Sequence, residues 1–276
     1  MPFYYATTGL TDARLVLVGM PLDRTSSFAP GTRFGPDFAR IGADNIESFS
    51  PYQRRDIFGL PIHDSGNLAF TYETPSAPFS LITATTRNHY TAGRQQLAIG
   101  GEHTITPVIV AELSRIYPDL CVIQFDAHAD LREEFLGEKL CHATAMRRVL
   151  DHIPRDRLFQ LGLRSFSRPE EMVETNVFPF EVARPVSDIC RVIGARPTYI
   201  TLDLDVLDPG AMPDVQTPEP GGCFFPELAH SLAHLSQLNV IGGDIVEFCP
   251  RDAQPSIGAS VTAELIRELI LVITKP

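Results

Sequence analysis

The sequence predicts a three-layer α/β/α domain built on a mostly parallel central sheet. Short apolar runs recur along the chain, each ending in small or polar residues, and helix-like stretches lie between them. Continuous apolar runs are typical of strands that are buried on both faces of a parallel sheet. Strands alternating with helices imply right-handed βαβ units. No repeat, low-complexity tract or Gly/Ser-rich linker divides the sequence, so we expect one domain over residues 1–276.

The predicted strands are, in chain order, Leu15–Gly19, Gln96–Gly100, Leu120–Phe125, Leu158–Leu163, Thr198–Leu202 and Val240–Ile245. The predicted helices are Pro107–Tyr117, His142–His152, Pro226–Ser236 and Ala259–Ile273. Apolar side chains at helical spacing support the last of these helices. Because active sites in such sheets lie beyond the carboxyl ends of the strands, the residues that follow each strand are the first candidates for function.

Charge and cysteine content narrow the class of protein. The formal net charge is −11, with 34 acidic and 23 basic residues. This balance argues against nucleic acid as a partner and is compatible with a small cationic substrate. The sequence shows neither a signal-peptide pattern nor an apolar run long enough for a membrane helix, so no membrane partner is expected. Five scattered cysteines without a C-x-x-C pair suit reduced thiols in the cytoplasm.

Potential metal ligands follow two of the predicted strands. Asp126, His128 and Asp130 come after one apolar strand, and Asp203 and Asp205 end another. In extended backbone, residues two apart point to the same face, so each set can converge. A lone aspartate at a strand end is usually a turn or a helix cap. Several carboxylates at neighbouring strand ends repel one another unless a cation or a proton lies between them, which favours metal binding.

His103 is the sixth candidate ligand. It follows the strand that ends near Gly100, and Gly100 and Gly101 allow a tight turn before it. The six residues together offer four carboxylates and two imidazoles, an oxygen-rich set that suits Mn²⁺ better than metals that prefer thiolates. Four negative charges balance two divalent ions, so the sequence predicts a two-metal centre.

Two further residues are candidates for catalysis. His142, at the start of a predicted helix, can relay protons because imidazole titrates near neutral pH; the alternative is a helix-terminal residue without chemical function. Glu247 follows the strand that ends near Asp244, and a carboxylate there can hold a planar guanidinium in a fixed orientation. Asp244 is either a partner that supports a ligand or simply the end of the strand.

The sequence resembles the arginase–agmatinase family of ureohydrolases, and its agmatinase branch in particular, over nearly the whole chain. The matching blocks are Gly19–Thr25, Pro30–Pro36, Gly100–Thr106, Phe125–Leu131, His142–Thr144, Leu202–Pro209, Thr217–Gly222 and Asp244–Glu247.

The resemblance implies an arginase-like sheet of about eight strands, assembly into trimers or hexamers, and two Mn²⁺ ions per subunit. By position, the residues that match the family's manganese ligands are His103, Asp126, His128, Asp130, Asp203 and Asp205. The resemblance also implies that Glu247 binds the guanidinium, that Asp130 passes a proton to the leaving amine, and that His142 exchanges protons with solvent. The implied reaction releases urea from a guanidino compound, with agmatine giving putrescine as the first choice.

The sequence departs from the family pattern in the loop before Thr217, where Asp214 and Gln216 replace glycines usual in agmatinases. Such replacements can reshape a loop near the active site. At position 141 the usual serine is Cys141, a neighbour that is tolerated or, if accessible, sensitive to oxidation.

The segment after Asp130 bears on the substrate's far end. Glu133 or Glu134 would favour the ammonium of agmatine, and Arg132 would favour a carboxylate such as that of 4-guanidinobutyrate. The alternative is that all three form surface ion pairs that contribute little. Agmatine ranks first, a guanidino acid second and arginine third.

Two rival functions remain. A metal-binding homologue without catalytic activity would explain the altered loop, but it would have no need of His142 and Glu247. A two-metal phosphoesterase would bind an anionic phosphate, whereas Glu247 and the acidic balance suit a cation.

Overall fold

The computed structural model describes residues 2–252, 254 and 256–275. The strands within them are β1 Leu15–Met20, β2 Phe49–Ser50, β3 Arg55–Asp56, β4 Ile62–Asn67, β5 Gln95–Gly100, β6 Cys121–Phe125, β7 Leu158–Leu161, β8 Val177–Phe178, β9 Pro197–Asp203 and β10 Asn239–Val246. The α-helices are α1 Gly35–Ala43, α2 Ala77–Thr91, α3 Ile105–Ile116, α4 Ala145–Val149, α5 Val186–Ile193, α6 Phe225–Leu235 and α7 Ile257–Ile273.

In the described residues, eight of these strands form one sheet in the order β4-β1-β5-β10-β9-β6-β7-β8. Every pairing in this sheet is parallel. β2 and β3 form a separate antiparallel pair. The predicted α/β fold with a parallel sheet of about eight strands is therefore confirmed.

Helices cover both faces of the sheet and produce the three layers. Along β1, Leu15 and Leu17 join the core on one face, and Val16 and Val18 join the core on the other. This alternation follows from the two-residue period of a strand. The first face packs against α1, α5, α6 and α7, and the second against α2, α3 and α4. In the part of the chain that the structure describes, no helix has both the length and the apolar character needed to cross a bilayer.

β10 lies in the middle of the sheet although it is the last strand in the sequence, and it pairs with both β5 and β9. Two glycines let it fit there. A Cβ atom at Gly243 would lie 2.7 Å from the backbone oxygen of Ile200, and one at Gly242 would lie 2.7 Å from the backbone oxygen of Gln96. Glycine is therefore required for this close approach of backbones.

The six strands predicted from apolar runs all occur in the sheet, as β1, β5, β6, β7, β9 and β10. Three predicted helices also occur, as α3, α6 and α7, each within two residues of the predicted start. The helix predicted over His142–His152 is present only in part. A 3-10 turn at His142–Thr144 precedes the short α4, which ends at Val149. Pro154 accounts for the early end, because in a helix continued to it the proline ring would clash with the carbonyl of Leu150 and one hydrogen bond would be lost.

Candidate metal centre

The six candidate ligands and Glu247 lie at or shortly after the carboxyl ends of four neighbouring strands in the middle of the sheet. The four strands are β5, β10, β9 and β6. His103 follows β5, and Glu247 follows β10 directly. Asp203 ends β9, and Asp126 follows β6. The strand ends are level, because Leu202 of β9 pairs with both Phe125 of β6 and Ile245 of β10. The sheet register therefore brings residues from distant parts of the sequence together.

The first half of the site is built around the imidazole of His103. Its Nδ1 lies 3.2 Å from Asp126 Oδ2, 3.2 Å from Asp130 Oδ2 and 3.3 Å from Asp203 Oδ2. Its Nε2 lies 2.9 Å from the hydroxyl of Thr201, which donates its own hydrogen to Asp244. The hydroxyl must therefore accept from Nε2, so Nδ1 is the ring atom that faces the three carboxylate oxygens.

The surroundings of His103 Nδ1 indicate whether a metal ion would fit at this position. Nδ1 of His103 is buried and has no hydrogen-bond partner of acceptable geometry. Three carboxylates facing Nδ1 need positive charge at that point, which a proton on the ring or a metal ion can supply; although burial opposes it, they hold the pKa of His103 well above its usual range. Asp244 supports the ring through Thr201, and it also accepts from Thr106 and Tyr199. The interpretation of Asp244 as the partner of a ligand therefore fits the structure better than that of a simple strand end.

The second half of the site is built around His128. Its Nδ1 lies 2.8 Å from Asp205 Oδ2 and 3.6 Å from Asp126 Oδ1. Asp126 thus faces His103 with one oxygen and His128 with the other. Among the described residues, two groups have ligand atoms close enough to hold an ion, and they share Asp126: His103–Asp126–Asp203 and Asp126–His128–Asp205. One shared carboxylate between two ligand sets is a suitable arrangement for a pair of ions.

The pKa values show that the cluster attracts positive charge. Burial disfavours the charged ring of His128, but Asp205 and Asp126 outweigh burial and raise its pKa to about 12. Burial and the charge of Asp126 raise the pKa of Asp130 to about 6. Burial, Asp205 and Asp126 hold the pKa of Asp203 well above its usual range. Without metal, protons on these groups supply the charge that dications would otherwise provide.

Glu247 and His142 lie on the same cavity as the cluster. This cavity of about 230 Å³ is lined by both of them and by the candidate ligands His103, His128, Asp203 and Asp205. Asp130 also lines it, and the rim includes Ser27, Arg132 and Phe135. A larger cavity of about 340 Å³ lies between α2, α3 and α4 and contains none of the predicted site residues.

Backbone strain marks two of the site residues. Asp130 has φ of 52° and Glu247 has φ of 67°, in the left-handed region that residues with a side chain rarely adopt. Such conformations persist where surrounding contacts enforce them, and they cluster at functional sites. Burial raises the pKa of Glu247 to about 8, against hydrogen bonds from His103 and Gln216 that stabilise the ionised form. A cationic ligand at this carboxylate would favour its charged state further.

His142 is held between two hydroxyl groups on the loop that follows β1. Its Nδ1 lies 3.1 Å from Thr25 Oγ1, and its Nε2 lies 3.2 Å from Ser27 Oγ. The edge of its ring meets Phe135, with 5.8 Å between ring centroids. Burial, followed by the charges of His128 and His103, lowers the pKa of His142 to about 4. Thr25, Ser27 and Phe135 were not singled out from the sequence, since they follow no strand directly.

The segment after Asp130 divides into residues that face the cavity and residues that do not. Arg132 lines the cavity, and its guanidinium lies 5.3 Å from the centre of the Phe135 ring. Glu133 instead pairs with Arg147 and Arg148 on the surface. The suggestion that Glu133 holds a substrate ammonium is therefore wrong, and Glu134 does not line the cavity either.

The loop before Thr217, which departs from the family pattern, has a backbone conformation that any residue can adopt at positions 214 and 216. Neither Asp214 nor Gln216 has positive φ, so neither position needs glycine for its conformation. Asp214 accepts a hydrogen bond from Ser256, the residue that caps α7. Gln216 is buried against Glu247. Cys141 is buried too, and burial raises the pKa of its thiol, which disfavours the reactive thiolate.

The fold and the cluster define an α/β protein with a candidate centre for two metal ions. The Arginase family model matches residues 13–272, and the chain belongs to this family. Family membership, predicted from the sequence blocks, is thereby confirmed.

Among its relatives is the agmatinase of Bacillus anthracis, 34% identical over 94% of this chain and 92% of its own length. Among solved structures, the agmatine ureohydrolase of Thermoplasma volcanium superposes with a TM-score of 0.86 at 27% identity, covering 99% of this chain and 94% of its own. Proclavaminate amidino hydrolase from Streptomyces clavuligerus superposes with a TM-score of 0.89 at 25% identity, covering 99% of this chain and 97% of its own.

Proposed function

We propose that this chain hydrolyses agmatine to putrescine and urea at a centre that holds two Mn²⁺ ions. It is a hydrolase of the arginase family acting on guanidino compounds, and agmatinases resemble it over nearly its whole length. The observation that carries the proposal is the placement of Glu247 beside two ligand sets that share Asp126. A cation-binding carboxylate at a two-metal centre suits a guanidinium better than a phosphate.

The proposed metal ligands are His103, Asp126, His128, Asp130, Asp203 and Asp205. The orphaned Nδ1 of His103 and the crowded carboxylates support this assignment. Oxygen-rich sets with two imidazoles suit Mn²⁺. When bound, two such ions supply Lewis-acid activation of water near neutral pH.

The chain's own residues supply binding, orientation and proton transfer. Glu247 holds the guanidinium and fixes its plane. Asp130 holds a proton at its carboxylate and delivers it to the leaving amine. Its carboxylate faces His103 Nδ1 at 3.2 Å and also lines the cavity, so it lies between the ligand cluster and the space for substrate. His142 contacts the substrate side of the cavity and, together with Thr25 and Ser27, connects the site with solvent.

A second candidate function is hydrolysis of a guanidino acid such as 4-guanidinobutyrate. The observation that favours it is Arg132, the cation on the rim of the cavity, stacked on Phe135. A guanidinium that lines the cavity can pair with a substrate carboxylate. With Glu133 engaged by Arg147 and Arg148, no acidic partner for an ammonium comes from that residue.

Urea release decides between these functions. The manganese-loaded protein is offered agmatine, 4-guanidinobutyrate, guanidinopropionate and arginine separately, with Asp126→Asn as the inactive control. We expect agmatine to give the highest kcat/KM. A preference for a guanidino acid would assign Arg132 to the substrate carboxylate. If none of the four yields urea while two ions are bound, the proposal is wrong and a non-catalytic metal-binding role gains support.

The remaining predictions concern the whole protein. We propose one domain over residues 1–276, in a homo-oligomer of three or six copies located in the cytoplasm. The pairing of β10 with strands from both halves of the sequence supports one domain. The assembly and the location rest on the family resemblance and on the five free cysteines.

A further inference from the structure

Gln216 forms a link that a glycine at its position could not make. Its side chain is fully buried in the loop before Thr217. Its amide oxygen accepts from the backbone N–H of Ser27 at 2.9 Å, and its Nε2 donates to Glu247 Oε2 at 2.8 Å. The orientation of this amide is set by its partners, because an N–H must meet the oxygen and a carboxylate must meet the nitrogen.

The carboxylate of Glu247 is held by one donor on each oxygen. Oε1 accepts from the backbone N–H of His103 at 2.7 Å, and Oε2 accepts from Gln216. A carboxylate oxygen has two lone pairs, so each oxygen keeps one for a ligand in the cavity. Two donors from separate elements fix the plane of the carboxylate. That plane determines the orientation of a guanidinium bound to both oxygens.

The other end of the Gln216 amide holds the loop that contacts His142. In this loop the backbone N–H groups of Arg24 and Thr25 donate to Glu102, and the N–H of Ser27 donates to Gln216. The Ser27 hydroxyl then lies 3.2 Å from His142 Nε2. Gln216 thus stands between the loop beside His142 and the carboxylate of Glu247.

We propose that Gln216 is a positioning residue that sets the carboxylate plane of Glu247 and thereby the orientation of the substrate guanidinium. The inference rests on the proposed role of Glu247. A glycine at this position would offer neither contact, so the orientation of the Glu247 carboxylate depends on the side chain that this chain carries there.

The test compares two ligands that differ in the guanidinium. The first is guanidinium chloride, used as an inhibitor of agmatine hydrolysis, and the second is putrescine, which has no guanidinium. Gln216→Met keeps most of the side-chain volume and removes both hydrogen bonds. Gln216→Glu keeps an oxygen that can accept from the Ser27 N–H, but it replaces the N–H donor to Glu247 with a second oxygen. A lost hydrogen bond to a charged group weakens binding on the order of tenfold or more.

We expect both variants to raise the inhibition constant of guanidinium about tenfold, to lower kcat/KM for agmatine at least as much, and to leave the inhibition constant of putrescine within about twofold. A purely structural defect would weaken both inhibitors alike. Gln216→Gly serves as a further variant if a substitution prevents folding, and manganese content and Tm are measured for each protein.

Gln53→Met is the matched control, because the Gln53 amide also donates to a buried glutamate, Glu268, at 2.9 Å, away from the cavity. It should leave both inhibition constants unchanged. Unchanged guanidinium inhibition in the Gln216 variants, with the wild type active on agmatine, would overturn the inference and leave the proposed function intact. An inactive wild type would instead count against the proposed function.

Discussion

Asp126 connects the two halves of the candidate centre at the scale of a single residue. Its Oδ2 faces His103, and its Oδ1 faces His128. It also accepts hydrogen bonds from the Gln124 amide and from the backbone N–H of His128. These two donors fix the orientation of the Asp126 carboxylate in the absence of an ion. Hydrogen bonds to metal ligands usually have this orienting effect. Loss of Asp126 should therefore affect both ions, and loss of His128 only one.

We predict that Asp126→Asn and His128→Asn have different metal stoichiometries. Asp126→Asn removes the carboxylate that both ligand sets share, so it should retain almost no manganese after dialysis. His128→Asn leaves the His103 set complete, so it should retain about one ion per chain. Mass-spectrometric metal analysis of the dialysed proteins measures this. Equal manganese content in the two variants would contradict the shared role of Asp126.

His89, in α2 and away from the site, is a buried histidine whose titration should make the stability of the fold depend on pH. His89 is buried in α2, and burial, with Arg94 and His63, lowers its pKa from 6.5 to about 4. Because the unfolded chain binds the proton more readily, folding loses stability as pH falls from 6.5 towards 4. Above pH 6.5 the residue is neutral in both states and has no such effect.

We therefore predict that His89→Gln, which cannot take up a proton, loses less stability over this pH range than the wild type does. The difference between the two proteins should change by up to about 3 kcal/mol. Urea unfolding at pH 7, 5.5 and 4.5 measures it. Both proteins share the metal centre, so acid release of metal cancels in the comparison. Parallel stability curves would show that His89 is not responsible.

At the scale of elements, α1 and α7 pack so closely that a side chain would not fit between them. A Cβ atom at Gly42 would lie 2.2 Å from the backbone oxygen of Ala259. Gly42 lies in the last turn of α1, and Ala259 lies in the first turn of α7. The start of α7 is in turn joined to the altered loop through Ser256 and Asp214. This helix contact therefore supports the loop that carries Gln216.

We predict that Gly42→Ala destabilises the protein by about 1–3 kcal/mol. The added methyl group would force the two helices apart, and this loss of packing outweighs the smaller stabilisation from alanine's higher helix propensity. Gly9→Ala is the control, since a Cβ atom there would contact nothing within 4 Å and the backbone does not have positive φ. Urea unfolding of both variants measures the effect. A Gly42→Ala protein as stable as the control would show that the helices shift apart at little cost.

The central strands of the sheet could be predicted from the sequence, and the edge strands could not. β9 is buried along nearly its whole length, so its apolar run is visible in the sequence. β4, with the sequence Ile62-His-Asp-Ser-Gly-Asn67, is an edge strand with a largely polar composition, and β8 has only two residues. Edge strands need fewer apolar residues, so their pattern resembles that of loops.

The site residues likewise divide into those that the sequence predicts and those that it does not. The six candidate ligands were predicted because each lies at or shortly after the end of a buried strand. The contact of Gln216 with Glu247 depends on the path of a loop, and no residue pattern specifies that path. In the same way, Thr25 and Ser27 approach His142 from a segment more than 100 residues away.

At the scale of the whole molecule, the candidate centre gathers negative charge in the middle of a protein whose formal net charge is −11. Four aspartates converge there, and Asp126, Asp203 and Asp205 are buried. Bound dications neutralise this charge only in the folded state. A ligand present at a hundred times its Kd stabilises the folded state by about 2.7 kcal/mol.

We predict that EDTA lowers Tm by about 5–10 °C, because each kcal/mol corresponds to a few degrees for a domain of this size. Scanning calorimetry with and without EDTA measures the change, and added Mn²⁺ should reverse it. Asp126→Asn is the control and should show almost no response to EDTA. A wild-type Tm that does not change with EDTA would mean that the centre holds no metal that contributes to stability.

The position of β10 bears on the order in which a newly made chain can fold. Until residues 239–246 leave the ribosome, β4, β1 and β5 have no hydrogen-bonded connection to β9, β6, β7 and β8. His103 belongs to the first group of strands, whereas Asp126 and Asp203 belong to the second. The nascent chain therefore carries all six candidate ligands well before it can bring them together. The ability to bind metal should arise late in biosynthesis, when the last strand joins the two groups.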